Sequence, residues 1–287
     1  MPSLVTLLRI QQRQQQQETK IVSDDLKVSV LVSSSSGNAT YIETPKHHVL
    51  VDAGMSGKKI KESLDSIGKD INDIDSLFVT HEHSDHVKGV GVLARRYNLN
   101  VYANKKTWAA MASKIGKVPE EKKNIFEHNK VLTLDDLDIQ SFAVSHDAAD
   151  PQFYKFYHNG KEFVILTDTG YVSEKVAKTI ENADGYLMEC NHDIEMLRDG
   201  MYPWPLKQRI LSEKGHLSND DGARTIMDVI GNKTKEIYLG HLSPENNTKK
   251  LARDSVTEIL EQHDFGVGHD FQIMDTDPKV ADPLITL

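Results

Sequence analysis

The sequence predicts an α/β fold in which two mixed β-sheets pack face to face with helices outside, an αββα sandwich. Three observations predict it. Short apolar, β-branched runs alternate with helical patterns through two similar halves of the chain. Several of these runs end on a residue able to bind a metal: His81, His146, Asp168 and His241. Hydrophobic residues make up 38% of the chain and charged residues 27%, the balance of a globular core rather than of a disordered segment.

A length of 287 residues suits one large domain or two small ones. No repeat or internal linker stands out, so residues 25–287 read as one domain. Residues 1–24 read as a tail foreign to it. They hold a short apolar piece, Leu4 to Ile10, and a glutamine-rich run, without the basic start and cleavage site of a signal peptide. The net charge of −9 argues against coating nucleic acid by bulk electrostatics, but leaves room for a local cationic site. No apolar run is long enough to cross a membrane. The single cysteine, Cys190, allows no internal disulfide, which fits a reducing cytoplasm.

The elements follow in order. Lys27 to Val32 reads as a buried strand, Ser33 to Gly37 as a turn and Asn38 to Glu43 as a second strand. A third strand, from Val49, ends at Asp52. From its position alone that aspartate reads as a turn or helix-capping residue. Ile60, Leu64 and Ile67 share a helix face. Ser76 to Thr80 is a buried strand, followed by His81-Glu82-His83-Ser84-Asp85-His86 and a helical run to Tyr97. Side chains alternate in an extended segment, so His81 and His83 point the same way. Asp85 and His86 then diverge at the turn, which suits two metals better than one. Leu99 to Ala103 is a strand and Lys105 to Ile115 a helix. Val131 to Leu134 and Leu137 to Val144 are strands, the second leading to His146. Asn159-Gly160 marks a hairpin between Phe153–His158 and Glu162–Thr167. Asp168 follows, either a carboxylate shared by two metals or the cap of a helix starting near Ser173. Asp184 to Cys190 is a strand, followed by His192 and a helical piece, Ile194 to Leu197. Two prolines stiffen the chain around Trp204. Lys207, Arg209 and Lys214 then form a locally basic stretch, either a solvated helix face or a phosphate-binding wall. Ser218 caps a helix reaching Ile230. Glu236 to Gly240 is a strand leading to His241, and Leu251–Ile259 and Phe271–Met274 complete the domain.

The order His-x-His-x-Asp-His at residues 81–86 resembles the second motif of the metallo-β-lactamase superfamily. Further segments narrow the likeness: Ser35-Ser36-Gly37-Asn38, His146-Asp147-Ala148-Ala149-Asp150-Pro151, Asn191-His192-Asp193, Pro203 to Arg209, Gly215-His216-Leu217-Ser218-Asn219 and His241-Leu242-Ser243-Pro244-Glu245-Asn246-Asn247. Together they resemble the YycJ/WalJ family, from about residue 26 to the C-terminus. One departure is the serine run Ser33 to Ser36, where that family usually carries a glycine.

The resemblance implies His81, His83 and His146 on one metal, Asp85, His86 and His241 on the other, and Asp168 bridging. Asp52 and His192 would orient the site. Asp85 and His216 would act in catalysis, His216 through the scissile phosphate or the leaving group, although a histidine before a helix cap can also bond only locally. The all-nitrogen and oxygen ligand set permits two ions of zinc, manganese or iron. The implied function is that of a bacterial cytoplasmic exonuclease, acting 5′ to 3′ on double-stranded DNA, with links to mismatch repair and to a two-component cell-wall signalling system. Three alternatives stand beside it. An RNA-processing nuclease of this fold would carry an inserted domain for which the stretch between Asp168 and His241 is too short, or a protruding arm. A lactam or thioester hydrolase would show a cysteine ligand or a helical C-terminal domain. A regulator would keep the metals without turnover.

Overall fold

The computed structural model describes residues 24–287. One sheet comes from the first half of the chain. It holds β1 (Lys27–Val32), β2 (Ala39–Glu43), β3 (His48–Val51), β4 (Ser76–Phe78), β5 (Asn100–Ala103) and β6 (Lys123–Ile125) in that spatial order. The second sheet runs from β7 (Val131–Leu134) through β8 (Leu137–Ala143), β9 (Gln152–His158), β10 (Lys161–Leu166), β11 (Gly185–Glu189) and β12 (Glu236–Gly240) to β13 (Gln272–Asp275). A last strand, β14 (Ile285–Thr286), returns to the first sheet and pairs with β1. Each sheet begins antiparallel and becomes parallel, over β3 to β6 and over β10 to β13.

Alternate residues of one strand face different cores, and this is why the strands read as continuous apolar runs. In β3, Val49 and Val51 pack between the sheets while Leu50 packs outward; in β4, Phe78 faces inward and Leu77 outward. The outer face of the first sheet is covered by α1 (Gly57–Ser66), α3 (Val90–Tyr97) and α4 (Lys105–Ile115), with the single turn α2 (Ser84–Val87) between them. On the second sheet lie α5 (Glu174–Ile180), α8 (Asn219–Val229) and α9 (Lys249–Gln262). Two short helices, α6 (Ile194–Asp199) and α7 (Trp204–Ile210), stand before α8. Between the sheets, Phe78 stacks on Tyr102 at 4.5 Å and meets Tyr154 edge-on at 5.5 Å. The Tyr154 hydroxyl donates to the Val79 carbonyl at 2.7 Å, which ties the second sheet to the chain just before His81.

The two sheets, their layering and the hairpin at Asn159-Gly160 agree with the expectation. Two strands were not expected, β6 and β14. Both are short edge strands whose residues are half-buried or exposed, so neither carries a periodic apolar signal. The segment around Trp204, expected as a stiff projection, is helical. The expected tail lies outside the described residues except for Asp24, whose carboxylate meets His158 at 3.1 Å.

Candidate active site

Open α/β sheets bind ligands beyond the carboxyl ends of their parallel strands. Here three residues just past such ends have left-handed backbones: Asp52 (φ 59°) after β3, Asp168 (φ 48°) after β10 and His241 (φ 57°) after β12. Side-chain-bearing residues rarely adopt this region, and surroundings that hold them there often belong to functional sites. Asp52 accepts from the Thr80 amide at 2.9 Å, the Thr80 hydroxyl at 2.8 Å and His86 Nδ1 at 2.7 Å. Neither aspartate caps a helix: Ser56 caps α1 and Ser173 caps α5.

The strand ends bring three overlapping groups together. His81, His83 and His146 form one, Asp85, His86, Asp168 and His241 a second, and Asp168, Glu189, His216 and His241 a third. Within each, one ligand atom per residue lies within 4.8 Å of the others. Nε2 of His146 is 3.3 Å from Nδ1 of His83. Asp168 reaches both sides, 3.2 Å from His86, 3.3 Å from His241 and 3.7 Å from His146. Of residues 81–86, His81 and His83 fall in the first of these groups and Asp85 and His86 in the second.

The donor set fits divalent metal. Nε2 of His81 and Oδ2 of Asp168 are buried without a hydrogen-bond partner, a costly state for polar atoms unless a cation satisfies them. Burial first, and then the neighbouring imidazoles, hold His81 and His146 below the ordinary histidine range, in the neutral form that binds metal. Burial opposes ionisation of Asp168, but His241 and His86 outweigh it and keep the carboxyl well below its usual range. Most far ring nitrogens are held by oxygen, as metal-binding imidazoles require. His86 Nδ1 bonds to Asp52, His241 Nδ1 to Glu189 at 3.0 Å, His146 Nδ1 to the Gly215 carbonyl at 3.1 Å, and His81 Nδ1 lies 3.0 Å from the Thr80 hydroxyl.

Main chain fixes Asp85. Asn38 donates its amide to the Asp85 carbonyl at 2.8 Å, and Gly54 donates to the Asn38 carbonyl at 2.8 Å. A Cβ on Gly54 would sit 1.6 Å from that Asp85 oxygen, so only glycine allows the approach. The serine run serves the other side, where the Ser33 hydroxyl accepts from the His241 amide at 2.8 Å.

Glu189 was not among the expected site residues. It ends β11 and is fully buried. Oε1 accepts from His216 Nδ1 at 2.8 Å and from His241 Nδ1 at 3.0 Å, while Oε2 accepts from the Thr169 and Leu217 amides at 3.0 and 3.2 Å. A signal for it lay in the sequence: an acid within the apolar run Tyr186 to Cys190 is a buried charge that needs partners. His216 is therefore held at the site rather than bonded only to its own turn. Its ring centre lies 5.1 Å from those of His146 and His241. His192 is buried, with neither ring nitrogen hydrogen-bonded, and burial pushes it down to about 4. It bonds to none of the groups above.

The three basic candidates differ. Lys207 is buried, and its ammonium donates to the carbonyls of Arg198 and Gly200 at 2.5 and 2.7 Å. It closes the end of α6 and does not face a substrate. Arg209 Nε donates to Asp147 beside the site. Lys214 is exposed on the turn after α7, whose carbonyl accepts from the Asp147 amide at 3.1 Å.

Comparison with known proteins gives the family and the fold. Residues 34–241 match the metallo-β-lactamase superfamily. The chain is 57% identical over 260 residues to the exodeoxyribonuclease WalJ of Streptococcus pneumoniae serotype 2, covering 90% of this chain and 97% of that protein. It is 52% identical over 255 residues to the exodeoxyribonuclease YycJ of Bacillus anthracis, covering 89% and 97%. In fold it is similar to the crystal structure of YhfI from Bacillus subtilis, with a TM-score of 0.68 at 15% identity over 90% of this chain and 99% of that one.

Proposed function

We propose, for a chain that belongs to the metallo-β-lactamase superfamily and within it to the WalJ/YycJ family, that it is a metal-dependent exodeoxyribonuclease degrading double-stranded DNA from 5′ to 3′. The observation that carries the reading is Asp168, a buried carboxylate reaching from the His81, His83 and His146 group to the Asp85, His86 and His241 group. In this reading those seven residues hold two divalent ions, zinc or manganese with iron as the third choice. Such ions acidify a water and draw off the charge that builds on phosphate oxygens.

The chain's own residues do the rest. Asp52 orients His86, and Glu189 orients His241 and His216. With Nδ1 committed to Glu189, Nε2 of His216 is the nitrogen able to give a proton to the leaving oxygen. Arg209 and Lys214 offer positive charge to the flanking backbone. Among the described residues no helix is long and apolar enough to cross a membrane, and the reading places the enzyme in the cytoplasm. The expected link to a two-component cell-wall signalling system is part of the same reading.

The test is a matched pair of blunt duplexes, DNA and RNA of one sequence, labelled at either end and incubated with manganese. Nucleotide release from the 5′ end of the DNA, absent in Asp168→Ala, is the expected result. Degradation of RNA alone, or full activity in Asp168→Ala, would overturn the reading.

A further inference from the structure

We propose that Asp147 is a positioning residue for His83, and that Arg209 connects this role to α7. The inference rests on the metal-site reading above. Four of the five imidazoles in the two expected ligand groups have their far nitrogen held: His81 by Thr80, His86 by Asp52, His146 by Gly215 and His241 by Glu189. His83 is the exception. Its Nδ1 faces His146 Nε2 at 3.3 Å and so points into the shared centre, which leaves Nε2 as the far nitrogen.

The acid facing that nitrogen is Asp147, with Oδ1 at 4.0 Å. Oδ1 is shut off from solvent and has no hydrogen-bond partner, although it lies 3.4 Å from His146 Nε2. A carboxylate oxygen left this way is costly unless a donor reaches it. A shift of about 1 Å brings His83 Nε2–H within hydrogen-bonding range, roughly 2.7–3.2 Å. That bond would fix the tautomer and ring orientation of His83, as carboxylates do for metal-bound imidazoles.

The other end of Asp147 is anchored. Oδ2 accepts from Arg209 Nε on α7, and the Asp147 amide donates to Lys214 in the following turn at 3.1 Å. Arg209 makes no other side-chain bond among the described residues, and its side chain is 53% exposed. The outer fork of the guanidinium can take a phosphate oxygen while Nε keeps Asp147. A backbone phosphate, Arg209, Asp147 and His83 would then form one line of contacts ending at the group of His81, His83 and His146, which would hold one ion. Coupling of this kind is reciprocal: phosphate binding would tighten the ion, and the ion would tighten phosphate binding.

The experiment is a double-mutant cycle read by calorimetric titration of Mn²⁺ into metal-free protein. D147A should weaken one of two sites at least about tenfold and leave the other unchanged. In an H83A background the same D147A change should matter less than about twofold, because its effect runs through His83. D147N, which keeps the shape, should fall between, and it carries the test if D147A melts early. Additive losses, or wild-type affinity in D147A while H83A loses an ion, would overturn the positioning role and leave the metal site standing. If H83A takes up manganese like the wild type, the metal-site reading has failed and the positioning role falls with it.

Discussion

His216 donates from Nδ1 to Oε1 of Glu189 at 2.8 Å, across 27 residues of sequence. The same oxygen takes His241 at 3.0 Å, so one buried carboxylate sets both an expected ligand and the expected proton donor. His216 and His241 are among the first causes that hold Glu189 low, at about 2, against the burial that would raise it. Glu189→Gln keeps the shape and loses the charge. Steady-state kinetics on a labelled duplex should show kcat lowered about 10- to 100-fold. Wild-type kcat in this variant would remove Glu189 from the machinery.

Metal removal should separate fold from activity. Both hydrophobic cores form without the site residues, so chelation should leave the far-ultraviolet circular dichroism spectrum unchanged. Activity should disappear, and returning manganese in 100-fold excess over its Kd should add about 2.7 kcal/mol of stability for each ion bound. Asp168→Ala should show neither the activity nor most of the thermal gain.

Gly54→Ala tests the packing beneath Asp85. The added Cβ would meet the Asp85 carbonyl and, at 2.5 Å, the Asn38 nitrogen, both backbone atoms that cannot swing aside. A loss of about 1–3 kcal/mol is expected by denaturant unfolding, together with weaker metal uptake at the Asp85 side. An unaffected variant would mean that the loop has slack the structure does not show.

Lys207 and Lys214 should behave oppositely. Lys207→Met leaves the Arg198 and Gly200 carbonyls without their donor, which should cost about 1–3 kcal/mol of stability. The salt dependence of DNA binding should stay unchanged. Lys214→Ala should leave stability alone and reduce the salt slope of DNA binding by about 1. Fluorescence anisotropy across a salt series reads the second effect.

Asp282 gives the stability its own pH dependence, away from the site. Burial pushes its carboxyl up to about 7, with Lys249 opposing and Asp277 and Asp275 adding, and Oδ2 has no hydrogen-bond partner. The folded protein therefore holds this proton more tightly than the unfolded chain. The contribution is full below pH about 4, declines as pH climbs to about 7, and is flat beyond. Asp282→Asn should match the wild type near pH 4. At pH 8 it should be more stable by about 1–2 kcal/mol, after discounting for partial exposure. Thermal melts at the two pH values check the sign.

Local pattern alone determined much of this protein. Apolar runs such as Val49–Val51 and Leu77–Val79 are buried on both faces, so their strands show without any partner in view. The alternation of an extended chain, followed by a turn, separates His81 and His83 from Asp85 and His86. Asn159-Gly160 and Ser218 act within a few residues of themselves, and both were legible as a hairpin and a cap. The tertiary structure decided what depends on chain segments meeting. The left-handed turns at Asp52, Asp168 and His241 are held by contacts from elsewhere, as when Ser33 accepts from the His241 amide across 208 residues. Lys207 and Arg209 share one basic run, yet one side chain turns inward to carbonyls and the other reaches Asp147. Helical spacing says which residues share a face, but only the packed neighbours say whether that face meets protein or solvent.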